Sequence, residues 1–257
     1  MNSKTLYSTL AFLLLIQFTY GQVKSCEEVS EELVQIYDKT FSFYYGARDS
    51  LVHYSNLFSS TLTNYVQNNP KSLDCTFKYL TQNSACSIVT SEDGTFRIYS
   101  WNTMLGGTMK YYSNLFQFKL EGKVHTHIFD YGEDNLGTYF TNIFTLRANK
   151  KKYFLTTSMG TFSTKDSYEK VRVYSIADGA INDSVRLIKT RSGMQNSIQF
   201  GYDFFSVADR PERPIKLIQY DEEKKMIFIP IVWENGMVTS KFIRYQFNGK
   251  YFVKLKN

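Results

Sequence analysis

His125 and His127 stand two residues apart. On a β-strand, positions i and i+2 face the same side, so both imidazoles can reach one metal ion. Asp130 follows, with Glu133 and Asp134 close behind, and a carboxylate from this group would complete the ligand shell. A metal held that way, with one coordination position open, polarises a carbonyl or acidifies a water, the chemistry of a metal-dependent hydrolase. Two imidazoles without a fixed third ligand also fit a solvated strand face or a cross-strand contact, which is the simpler reading. No Gly-x-Ser-x-Gly elbow, Gly-rich phosphate loop or isolated pair of carboxylates accompanies them, and the only other histidine is His53. The residues therefore favour a protein without catalysis and without a cofactor. A hydrolase using His125, His127 and Asp130 is the alternative.

Thiol chemistry is the next option. Cys26, Cys75 and Cys86 all fall in the first third of the chain. One bridge, in any of three pairings, would staple the N-terminal part and leave one thiol over. All three also fit as small buried apolar residues. The compartment bears on this choice. Lys4 supplies a positive n-region, Leu10 to Phe18 an apolar run, and Thr19-Tyr20-Gly21 a small-ended cleavage site. That run is too short for a membrane span, so residues 1–21 read as a secretory signal peptide. A secreted or periplasmic protein is expected, with no transmembrane segment after the leader is removed.

A third group of residues suggests binding. In Phe96-Arg97-Ile98-Tyr99-Ser100-Trp101, strand alternation puts Phe96, Ile98 and Ser100 on one face and Arg97, Tyr99 and Trp101 on the other. Gly106-Gly107 permits a tight turn or the close approach of a ligand. Tyr99, Trp101, Gly106 and Gly107 then describe a platform on which an envelope glycan or peptide stacks. A packed hairpin with an aromatic face uses the same residues. The stretch from Ser91 through Asp93-Gly94, Phe96 to Thr103 and Gly106-Gly107-Thr108-Met109 resembles a family of uncharacterised secreted proteins of Gram-negative bacteria. Asn102 stands where that signature has Asp. The resemblance implies a plan of signal peptide, helical N-terminal part, signature and long β-rich region, and it implies no activity.

The elements that must position these groups follow from periodicity. Ser25-x-x-Glu28 has the form of a capping box, and Val29, Leu33, Ile36, Tyr37, Thr40, Phe41 and Tyr44 share one helical stripe. A second stripe runs through Leu51, Tyr54, Leu57, Phe58, Leu62 and Tyr65 to Asn68-Asn69-Pro70, and Ser72 is placed to cap a third, shorter helix. From Ser87 onward the period is two. About a dozen short strands are separated by Glu92-Asp93-Gly94, Glu121-Gly122, Ala177-Asp178-Gly179, Glu234-Asn235-Gly236 and Asn248-Gly249. With 20 Tyr, 21 Phe and only 4 Pro, the composition suits half-buried strands. The expected fold is α+β: a leader at 1–21, a helical segment at 22–85 and an antiparallel β region at 86–257. That region closes as a barrel, folds as a sandwich or divides into propeller-like blades. The net charge of +6 is spread along the chain apart from Lys150-Lys151-Lys152, which reads as a solvated turn. Nothing clusters base-stacking aromatics with cations, so nucleic acid is not an expected partner.

Overall fold

A computed structural model describes residues 24–129, 136–148 and 150–256. The chain is α+β, with helices first and strands after. Helix α1 (Cys26–Ser42) starts on the expected capping box: Glu28 N donates to the Ser25 hydroxyl, and Ser25 N donates to the Glu28 carboxylate at 2.7 Å. Val29, Leu33 and Ile36 are buried, whereas Phe41, on the expected stripe, is exposed in the last turn. Helix α2 (Arg48–Asn68) buries Leu51, Phe58, Leu62 and Val66. Pro70 then opens a 3-10 turn, and a five-residue α3 (Lys78–Gln82) follows.

Ser72 does not cap that last helix. It sits buried inside the 3-10 turn, where its hydroxyl accepts from Gln117 Nε2 at 2.9 Å. Arg97 Nη1 donates to the carbonyls of Ser72 and Cys75, and Tyr99 OH donates to Gln117 Oε1 at 2.9 Å. The Cys26–Cys75 disulfide closes the same corner, and Cys86 is left as a buried free thiol. A polar seam of this kind holds only if each buried group finds a partner.

The strands form three sheets. The first is β1 (Ser87–Thr90), β2 (Phe96–Asn102), β3 (Tyr112–Leu120) and β4 (Lys123–Phe129), in chain order. The second is built on β5 (Tyr139–Ala148), β6 (Lys151–Thr161) and β7 (Asp166–Ala177), with β8 (Ala180–Asn182) and β11 (Ser197–Asp203) both paired to β7. The third runs β10 (Gly193–Gln195), β9 (Ile188–Thr190), β15 (Phe252–Lys254), β14 (Val238–Phe247), β13 (Met226–Val232) and β12 (Gln219–Asp221). Pairing is antiparallel except between β15 and β9. Lys151 and Lys152 belong to β6, so only Lys150 of the lysine triplet is in the turn.

Neither a closed barrel nor a two-sheet sandwich results. The helices and three sheets form successive layers, with β11 returning to the second sheet after β9 and β10 have entered the third, and the core clusters show the layering. Tyr99, Trp101 and Leu115 pack with Leu33, Phe58 and Phe77 between the helices and the first sheet. On the opposite face of that sheet, Phe96, Ile98 and Phe116 meet Phe140, Phe154 and Tyr174 of the second. Beyond these, Leu155, Val171 and Val173 meet Ile227, Ile229 and Phe252 of the third. Buried polar bonds tie the layers together. Ser100 Oγ accepts from Asn114 Nδ2 and from Phe140 N. The Glu169 carboxylate on β7 accepts Leu217 N and Ile218 N, both at 2.8 Å, fastening the chain before β12 to the second sheet.

Candidate functional site

The platform expected at Tyr99 and Trp101 is not on the surface. Tyr99 is 0 % and Trp101 3 % exposed, because α1 and α2 cover the face of β2 that carries them. An aromatic enclosed by ordered neighbours cannot stack on a ligand, so both are core residues.

Gly106 and Gly107 have different roles. The loop after β2 is held by its own polar groups: Met104 N donates to Asn102 Oδ1, and Thr103 N donates to Tyr111 O at 2.8 Å. Arg48 Nη1 donates to Leu105 O, and Tyr44 OH to Gly107 O at 3.0 Å, so the junction of α1 and α2 pins the loop from one side. Lys110 N, bonded to Thr161 O, pins it to β6 from the other. A Cβ on Gly106 would overlap the Met109 carbonyl oxygen, which makes the close approach there one of the chain to itself. At Gly107 nothing lies within 4 Å of such a Cβ, and the residue opens onto a groove.

That groove, of about 550 Å³, runs between Tyr44 and Tyr45, the Gly107 loop, the end of β6 and Phe204. Its polar lining is hydroxyls, from Thr108, Thr161, Ser163, Thr164 and Ser167, with Lys110 as its cation among the described residues. Lys110 Nζ lies 5.5 Å from the centre of the Tyr44 ring, a cation–π distance. At Ser167 the groove adjoins a second depression of about 510 Å³, lined by Phe162, Asp203, Trp233 and the Asn235-Gly236 turn. The rings along this edge face water: Tyr45 is 93 % and Trp233 59 % exposed, with Phe162 and Phe205 also uncovered. Turn geometry places them. Trp233 N donates to Met237 O across the β13–β14 turn, and Asp203 N donates to Gly236 O, joining that turn to the end of β11. Asp203 also pairs with Lys165 at 3.5 Å, and Ser163 Oγ donates to Asp166 Oδ2 at 2.7 Å, so these two carboxylates beside the rings each have a partner.

The histidines share a face of β4 as alternation required, but each imidazole lies against a ring. His125 stacks on Phe118 at 5.4 Å between centroids, and His127 meets the Phe129 ring edge-on at 4.6 Å. Asp130, the expected third ligand, lies outside the described residues, as do Glu133 and Asp134. Among the described residues no three His, Cys, Asp or Glu side chains are grouped to hold a metal. No described helix is long and apolar enough to cross a membrane.

Tyr45, Phe162, Phe205 and Trp233 are the residues that pattern reading missed. Tyr45 sits in the turn between α1 and α2, Phe205 in the 3-10 helix after β11, and Phe162 and Trp233 just past the ends of β6 and β13, positions that leave each ring exposed. No protein-family model, no curated protein and no solved structure matches the chain.

Proposed function

We propose that the protein is an exported, non-enzymatic component of the cell envelope that binds carbohydrate along the groove beside Gly107. The observation that carries the reading is the set of solvent-facing rings beside two adjoining clefts: Tyr45 on the first, whose polar side chains are mostly hydroxyls, and Phe162 and Trp233 on the second, which adds Asp203, Glu234 and Asn235. Exposed aromatic patches of this kind mark interaction surfaces, and a few Trp and Tyr anchors carry most of the binding energy. The C–H face of a pyranose packs flat on such a ring, and its hydroxyls exchange hydrogen bonds with Thr and Ser side chains. Beside Gly107 the described lining carries one cation, Lys110, and no carboxylate, which favours a neutral polyhydroxyl ligand over a charged peptide. Export is supported by the leader pattern and by the Cys26–Cys75 disulfide, which persists in oxidising compartments.

The test is retention on immobilised envelope glycans. Trp233→Ala and Tyr45→Ala should each lower retention at least tenfold while leaving the thermal midpoint within about 2 °C, because neither ring supports the core. Retention should also be indifferent to chelators. Undiminished retention by both variants sinks the groove. Retention on peptide arrays but not on glycans would reassign the ligand.

A further inference from the structure

At the opposite rim of the first two sheets the aromatic core between them opens to solvent. The mouth is a cleft of about 530 Å³ between the β3–β4 turn, the start of β6 and the end of β7. Its size falls within the range of small-ligand pockets, and it is unrelated to the groove described above. The walls are largely apolar, with Ser175 and Asn182 as their uncharged polar residues. Leu120 and Ile176 continue the cluster of Phe96, Phe116 and Phe154, and Tyr153 and Val185 extend the surface towards the third sheet.

The rim is cationic. Lys119, Lys151 and Lys152 line it against a single carboxylate, Glu121. Lys152 is held in place: its Nζ donates to Asp93 Oδ2 at 2.9 Å and to Thr95 Oγ1 at 2.8 Å. Burial alone would raise the Asp93 pKa, but hydrogen bonds from Thr95, Lys152 and Ser91 keep it well below the usual carboxylate range, so this anchor stays charged. Lys119 and Lys151 form no ion pair with another described residue. Two ammonium groups without an ion pair among the described residues therefore stand over an apolar opening that leads into a core.

We infer that this mouth binds a single-chain anionic amphiphile of the fatty-acid class, with its carboxylate between Lys119 and Lys151 and its hydrocarbon against Leu120, Ile176 and Val185. Charge complementarity selects the head group, and the apolar walls select the tail. An ion without a tail gains too little from exposed lysines in water, where solvent and salt screen such pairs. A neutral hydrocarbon leaves both ammonium groups without a counter-charge.

Calorimetric titration of the purified protein with laurate below its micelle concentration tests the inference. Affinity should rise about fourfold per added methylene from hexanoate to laurate, the increment expected for burying each group. Acetate should show no binding, and dodecyltrimethylammonium should bind at least tenfold more weakly than laurate. Lys119→Glu with Lys151→Glu should lower laurate affinity at least tenfold, and the corresponding pair of Gln substitutions should fall between. Laurate binding that both double variants leave within twofold overturns the site. Equal binding of the cationic detergent overturns the head-group assignment, and acetate binding as tight as laurate overturns the amphiphile. The inference stands or falls apart from the glycan groove, since Trp233→Ala should leave laurate affinity unchanged.

Discussion

The Trp101 indole Nε1 donates to the Ser59 hydroxyl at 3.1 Å, a side-chain bond from β2 to the middle of α2. The same ring lies 5.9 Å from that of Phe58, centroid to centroid. Removing it opens a void between two layers that relax only partly. Trp101→Ala should therefore cost about 3–5 kcal/mol of stability. Ser59→Ala, which leaves a buried donor without its acceptor, should cost about 1–3 kcal/mol. Denaturant midpoints check both, and an unchanged midpoint for Trp101→Ala would remove the ring from the core.

The bridge between Cys26 and Cys75 closes a loop of 49 residues. A loop of that length stabilises by about 4 kcal/mol through the unfolded chain. Replacing both cysteines by serine should lower stability by about that amount. Burial pushes the Cys86 thiol up to about 12, so little reactive thiolate forms at neutral pH. A thiol reagent should label no cysteine in the native, unreduced protein and one per chain after denaturation. Three labels without reductant would mean that the bridge is absent.

Burial raises the pKa of the Glu169 carboxyl to about 7 against the two amides, Leu217 N and Ile218 N, that favour its charged form. Arg210 and Lys216 lower it less. An acid with a raised folded pKa keeps its proton in the native state after the unfolded chain has lost it. Stability should therefore fall as pH rises from about 4.5 to about 7, by roughly 3 kcal/mol in total, and then level off. Thermal midpoints across that window check the slope. Glu169→Gln should flatten it, and a slope that survives the substitution would place its origin elsewhere.

The two adjacent glycines should separate cleanly under substitution. Gly106→Ala drives a methyl group into the Met109 carbonyl and should cost about 1–3 kcal/mol as the loop shifts. Gly107→Ala meets open space and should be near neutral for stability, while Gly107→Trp should fill the groove and abolish glycan retention without unfolding. Equal destabilisation by both alanine variants would contradict the difference in their surroundings.

Much of the fold is legible in the residues. Alternation along β2 separates Phe96 and Ile98 from Tyr99 and Trp101, and those two sets enter different cores. What alternation does not carry is the identity of each cover. A strand packed on both faces looks the same in sequence whether its second face meets helices or a ligand, so Trp101 reads equally as core and as platform. The position of Ser72 fails for a related reason. Its partners, Gln117 and Arg97, stand 45 and 25 residues away, beyond any local pattern, and they outweigh its capping tendency. Glu169 is the same case, with amide partners 48 and 49 residues on. The groove was legible only at Gly107, because Tyr45, Phe162 and Trp233 come from three separate connections that approach one another only in the folded chain.

In the third sheet, β9 and β10 meet the other strands only through β15, which is made after every other described strand. Synthesis alone therefore does not complete this layer in steps: the β9–β10 hairpin emerges with an open edge and must wait for Phe252–Lys254 to thread between it and β14. Until then the apolar face built on Val171 and Val173 is only partly roofed. A chain stalled or clipped before β15 would present sticky strand edges to its neighbours, so the step most exposed to aggregation is the insertion of β15.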